Sequence, residues 1–318
     1  MGIKILPSIV RTLSEEDKTR FLTHSFAALL TVLFYVSLYR RRKAMLQMAD
    51  TLSQSLRKVT NCTYKVQTHL FIAYLIVMQV FLAIALITRH LSEKHENSNV
   101  IIAADSSNPI MYYCNEFIRI FSAFASFLWF FALSLFALYY IFTCSFIRVL
   151  LEHVLERTDS EILPEDLENF SVEYGNIARC TRILDEHFSQ PVFLAVFYTM
   201  AGLFWGGYRA AFLPNKGMTY SLTLLIVLIY YLSIQVLIMV SASITNELSS
   251  KVKCVMQCLS YQNFIQDPQR KFKFKKGLNQ NNSLTLWNVY VMDRSLIITS
   301  VGTLLTYGIM IGTLGKNI

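Results

Sequence analysis

The sequence predicts an all-α, polytopic membrane protein with about six membrane-spanning helices, and three observations carry that reading. Apolar residues make up 54% of the chain and charged ones only 16%, against roughly 25% charged in a soluble protein. The mean hydropathy is +0.41. Six runs, 21–39, 70–88, 120–143, 192–213, 219–243 and 296–314, approach the roughly 20 mostly apolar residues that a spanning helix needs. None has an Asp or Glu in its interior. A single run of this kind could be the buried helix of a soluble domain, but six in 318 residues cannot all be. With 11 Gly, 6 Pro and 6 Cys, collagen, disorder and a disulfide scaffold are excluded.

Orientation follows from basic residues, which stay on the cytosolic side. Segments 40–69 and 244–285 carry seven Lys or Arg each and 144–191 four, whereas the alternate faces together carry ten. Both termini are therefore expected outside. Residues 1–20 form an external segment, with Glu15, Glu16 and Asp17 where the apolar core of a cleavable leader would lie. Residues 21–243 form a five-helix bundle with cytosolic helical loops at 40–69 and 144–191. Residues 244–295 form a cytosolic basic and helical segment, and 296–318 the final helix with an external C-terminus. The sequons at Asn61, Asn169 and Asn281 then face the cytosol and should carry no sugar.

The cysteines lie mostly on the reducing side, so no intrachain disulfide framework is expected. Cys254 and Cys258 lack an accompanying His or Cys pair, so no metal and no cofactor are expected. The basic run Arg270–Lys276 suits anionic membrane lipid, not nucleic acid. No phosphate loop, metalloprotease or nucleophile motif occurs, and no ionisable group sits at mid-membrane depth, where intramembrane chemistry would need one. An enzyme is not expected.

The cytosolic loops are periodic. Leu167, Phe170, Tyr174, Ile177, Thr181, Leu184 and Phe188 step by three and four, the spacing of a heptad seam. A second seam runs Leu248, Val252, Val255, Leu259, and a third through Met45, Met48, Leu52, Leu56 and Val59. Such seams pack either within one chain or between copies, and both readings extend the helices below the membrane as a bundle.

The last run is the most informative. Thr299, Thr303, Thr306, Met310 and Thr313 share one face of a helix. Either the hydroxyls bond back to carbonyls one turn earlier, as is common in membrane helices, or they form a wettable stripe. Gly308 and Gly312 offer a GxxxG notch for close helix approach.

The stretch from Val291 to Ile311, with Asp293, Ser295, Gly302, Thr306 and Tyr307, resembles the final helix of arthropod gustatory receptors. Thr313 and Leu314 stand where that signature has Gln and Phe. The family has seven spans, so the resemblance implies that the first run here corresponds to its second helix, and a counterpart of its first helix is not expected within residues 1–20. The resemblance implies a chemosensory, ligand-gated, non-selective cation channel of the plasma membrane, a homo- or heterotetramer. Its final helices, through Thr299, Thr303, Thr306, Met310, Thr313 and Leu314, line the pore. It also implies a pocket for a small-molecule tastant in the outer half of the first five helices. Candidate liners there are His24, Phe124, Phe204, Trp205, Tyr208, Arg209 and Tyr220, each of which could equally pack the core or anchor at the interface. The alternatives are a G-protein-coupled receptor, for which the helix count and termini are wrong, and a non-conducting transporter or scaffold.

Overall fold

The computed structural model describes residues 15–56, 72–88, 109–158, 164–212, 217–262 and 283–314. Six helices account for almost all of them: α1 (Glu15–Leu56), α2 (Ile72–Thr88), α3 (Pro109–Thr158), α4 (Pro164–Phe212), α5 (Met218–Gln262) and α6 (Arg294–Leu314). Each contains one of the six apolar runs, allowing for two residues at the start of α2 and one at the end of α4. Within α3, α4 and α5, the stretches Ile120–Arg157, Val172–Ala210 and Met218–Cys258 are long and apolar enough to cross a membrane. The chain is an all-α polytopic membrane protein.

Length explains the architecture. At about 1.5 Å per residue, the 50 residues of α3 reach roughly 75 Å, against a hydrocarbon core of about 30 Å. The long helices therefore carry on beyond the bilayer, toward the end that the charge bias assigns to the cytosol; we call it the lower end. Helix α1 begins at Glu15, so the last residues of segment 1–20 are already helical. The sequons at 61 and 281 and the basic run 270–276 lie outside the described residues.

Helix α5 is the central post, packing most extensively against α3 and α4. The core follows the helices downward. Tyr174, Ile177, Thr181, Leu184 and Phe188 of the predicted α4 seam are all buried within this one chain, while the side chains of Leu167 and Phe170 lie outside the described set. The α5 seam is offset from expectation. Thr245, Ser249, Val252 and Met256 are buried, whereas Leu248 and Val255 are only half-buried. Small hydroxyl residues occupy the inner face because they let helices approach and satisfy themselves; Thr245 donates to the Ser241 carbonyl at 2.7 Å.

Helix α4 passes through Pro191 without ending. Proline has no N–H to give the carbonyl four residues back, which here belongs to His187. The guanidinium of Arg41 from α1 donates to that His187 carbonyl instead, and to Gln190 Oε1 at 2.8 Å. Arg41, a residue of the basic cluster from which orientation is expected, thus replaces a missing helical donor.

Segment 244–295 is not helical throughout. A hairpin precedes α6: β1 (Thr285–Leu286) pairs antiparallel with β2 (Tyr290–Val291), Thr285 opposite Val291 and Leu286 opposite Tyr290. Trp287 and Asn288 at its tip have positive φ, 51° and 55°, a conformation costly for non-glycine residues. The surroundings hold it there. Trp287 N–H donates to the Ser189 carbonyl at 3.2 Å, and its ring meets Phe193 at 5.0 Å.

Candidate functional site

Two features of the bundle invite a functional reading: a cavity in the upper half and the outward flank of α6. The cavity, about 590 Å³, is walled by α1, α3, α4 and α5, with Leu86 of α2 at one side. That volume lies within the usual range for small-molecule sites. Its walls are largely aromatic: Phe26, Trp129, Phe130, Tyr198, Trp205, Tyr220 and Tyr231.

The walls hold their shape by ring packing and by close approach. Trp129 sits 4.5 Å from Tyr198 and 5.2 Å from Phe34, centroid to centroid. Tyr231 is packed by Phe130, Tyr198 and Tyr230. Behind them, Tyr230 donates to the Phe130 carbonyl at 2.7 Å and shares a hydrogen bond with Ser134 at 2.8 Å. Gly202 and Gly206, one turn apart on α4, let α5 come near. A Cβ on Gly202 would lie 2.5 Å from the Tyr231 ring, and one on Gly206 2.5 Å from Leu228 Cδ2. This pair is the GxxxG notch that the fold uses. At Gly308 of α6, nothing among the described residues would meet a Cβ within 4 Å.

Of the residues that the sequence nominates, Trp205, Arg209 and Tyr220 line the cavity. Arg209 lies over the Trp205 ring, 5.3 Å from its centroid. Tyr208 stacks on the Trp205 ring itself, at 5.5 Å, and stays outside the lining. Phe204 turns instead to Tyr307 of α6, edge to face at 6.3 Å. Phe124 is exposed and does not line the cavity, whose α3 wall is Ser122, Ala125, Ser126, Trp129 and Phe130. The side chain of His24 lies outside the described set. Sequence reasoning misses Trp129 and Tyr198, which look like ordinary core aromatics in a chain rich in them. The signal that separates Trp129 is visible only in three dimensions: it is buried and packs at once on Tyr198, Phe34 and Tyr35.

Helix α6 presents three different sides. Its inner side packs on the bundle through Leu296 and Ile297, buried Ser300 and Tyr307. Thr299, Thr303, Thr306, Met310 and Thr313 lie exposed along one flank. Ile298 and Val301 lie exposed along the other. The threonine hydroxyls also bond backward, Thr299 to the Ser295 carbonyl at 2.8 Å, Thr303 to Thr299 at 2.7 Å and Thr306 to Gly302 at 2.8 Å. The two readings of the stripe are thus compatible: each proton is used, and the oxygen still faces outward. The side chain of Leu314 lies outside the described set.

The motif residues acquire local roles. Asp293 Oδ1 accepts the Leu296 N–H at 2.7 Å, which makes it the N-cap of α6. The Ser295 and Gly302 carbonyls receive the threonine hydroxyls, and Tyr307 ties the helix to α4. Below, the hairpin fastens the foot of α6. Asn246 of α5 donates to the Leu284 and Met292 carbonyls at 2.9 and 2.8 Å and accepts the Leu284 N–H at 2.7 Å. Asp185 of α4 accepts both the N–H and the hydroxyl of Thr285. Burial raises the Asp185 pKa, and these hydrogen bonds oppose the rise. Arg294 pairs with Glu247 at 2.6 Å, but both are well exposed, so that bridge adds little.

This arrangement, long helices around a central post with a short hairpin feeding a last helix, has a counterpart among solved structures. The chain superposes on the structure of the insect olfactory receptor OR5 from Machilis hrabei with a TM-score of 0.62 and 16% identity, over 94% of this chain and 82% of that one. The structure of the same receptor in complex with eugenol gives a TM-score of 0.63 at 16% identity, over 95% and 83%. No protein-family model and no curated protein sequence matches the chain. At 16% identity the likeness establishes the fold, and it agrees with the arthropod-receptor resemblance read from the last helix.

Proposed function

We propose that this protein is a chemosensory receptor of the gustatory type that acts as a ligand-gated, non-selective cation channel in the plasma membrane. A small molecule entering the aromatic cavity stabilises a conformation in which the pore is open. The pore is built where copies of the chain, four on the family resemblance, bring their α6 helices together. The observation that carries this reading is the exposure of the α6 hydroxyl flank. A helix facing only lipid gains nothing from a row of outward oxygens, whereas a conducting path does. That a receptor of the same fold is seen with eugenol supports the small-molecule half of the proposal. Its neighbours of like fold are receptors, not enzymes, which agrees with the missing catalytic motifs.

The test is electrical. Whole-cell recording with a panel of sugars, bitter compounds and amino acids should reveal an agonist-evoked cation current. Thr313→Ala and Leu314→Ala should then alter ion permeability or basal current. No evoked current across the panel would favour a transporter or scaffold. Unchanged permeation in both variants would remove this end of α6 as the narrow point.

A further inference from the structure

Taking the cavity as the ligand site of the proposed receptor, its chemistry narrows what it accepts. Arg209 is the one charged side chain among the cavity's described lining residues, and no carboxylate is among them. The Arg209 side chain is half-buried and turned onto the Trp205 ring, 5.3 Å away, so it faces the cavity as well as the interface. The hydroxyls nearby already donate to their own helices: Thr31 to Ala27 and Ser126 to Ser122, both at 2.8 Å, and Thr223 to Thr219 at 2.9 Å. The donor left to a ligand is chiefly the guanidinium, since the buried Trp129 indole N–H is engaged by the Tyr198 hydroxyl. A cleft offering a cation beside aromatic rings is complementary to an aromatic body bearing an anionic acceptor. Guanidinium is the side chain best matched to a carboxylate, which it can hold through two parallel hydrogen bonds. The surrounding low dielectric strengthens that attraction.

We propose that the cavity selects small aromatic carboxylates, the acid group held by Arg209 and the ring seated among Phe26, Trp129, Trp205 and Tyr220. A lipid phosphate reaching Arg209 from the bilayer would use the same chemistry, and the test separates the two sources.

The probes are tritiated phenylacetate and its neutral methyl ester, measured by equilibrium binding to the full-length protein in zwitterionic nanodiscs. The acid should bind roughly tenfold or more tightly than the ester, the range expected of a charge-assisted hydrogen-bonded pair. Arg209→Met should abolish that preference while leaving ester binding intact, which also shows that the variant is folded; Arg209→Lys should keep part of it. Equal affinity for acid and ester, or an acid affinity unmoved by Arg209→Met, would overturn the proposal. Saturable acid binding that persists in phosphatidylglycerol discs supports a free small acid. Its absence from zwitterionic discs, with the headgroup engaging Arg209 in anionic ones, would overturn it in favour of lipid. Filling the cavity with Ala125→Trp should block both probes; if both still bind, the cavity is not the ligand site at all.

Discussion

The lower and upper halves of the bundle are held together by different means. Below, side chains reach across helices to the backbone of another element: Arg41 to the carbonyl that Pro191 frees, Asn246 and Asp185 to the hairpin, and Tyr139 to the Met45 carbonyl at 2.7 Å. The α4 seam from Tyr174 to Phe188 beneath is buried. Above, aromatic rings surround a cavity and Phe117, Phe121 and Phe124 face outward, with the Tyr230 bond to the Phe130 carbonyl set behind the rings. Hydrogen bonds to backbone are directional and fix one geometry, whereas ring contacts tolerate sliding and reorientation. The lower half is therefore the fixed frame, and the upper half is where a ligand could change the packing at little cost.

That contrast can be broken at named residues. The largest effect is expected at Asn246, which satisfies three backbone groups of the hairpin. Asn246→Ala should cost about 2–4 kcal/mol, seen as a lowered thermal unfolding midpoint; a drop no larger than that of an exposed-site alanine would mean that the hairpin holds without it. In the upper half, Gly202→Ala should cost about 1–3 kcal/mol by overpacking, because the added carbon meets a ring locked by three others. Gly206→Ala meets the mobile end of Leu228, so a helix-propensity gain of up to about 1 kcal/mol should leave it near neutral. Parallel unfolding curves of the two variants measure the difference, and equal losses would contradict it.

Arg41→Met should cost about 1–3 kcal/mol by orphaning the His187 carbonyl, with Arg41→Lys restoring part of it in the same assay. The smallest effect is a pH dependence. Burial raises the Asp185 pKa in the folded state, so the folded chain takes up that proton more readily than the unfolded one. Its contribution to stability is accordingly greatest at low pH and is lost as pH rises through the folded pKa. Asp185→Asn keeps an acceptor for Thr285 and should change neutral-pH stability by under about 1 kcal/mol. It should flatten the acid side of the stability profile relative to wild type, and an unchanged profile would exclude Asp185 as the titrating group.

Much of the frame is legible in the sequence because the membrane imposes long apolar runs and because Tyr174 through Phe188 repeat with heptad spacing. The α5 seam is misjudged by one register, since apolar periodicity ignores Thr245 and Ser249, whose size suits a close helix contact. The hairpin is invisible: two-residue strands carry no periodicity, and its order depends on Asn246 and Asp185, 38 and 100 residues away from the groups they bond. Gly202 and Gly206 have the same spacing as Gly308 and Gly312, and only the neighbouring helix distinguishes them. Among the nominated liners, Arg209 and Trp205 line the cavity but Phe204 and Phe124 do not, because which way a ring turns is decided by partners distant in the chain.

The attachment of α6 has a mechanical corollary. Its foot is clamped through the hairpin, while higher up one edge-on ring pair and a few aliphatic groups steady it, much as a cantilever is fixed at its base. A helix of 21 residues is about 31 Å long, so a tilt of roughly 5° at the clamp would swing its tip by nearly 3 Å, about the width of a water molecule. Leverage of that kind needs no melting and no rebuilt core, only a slight rocking of one rod against its pivot.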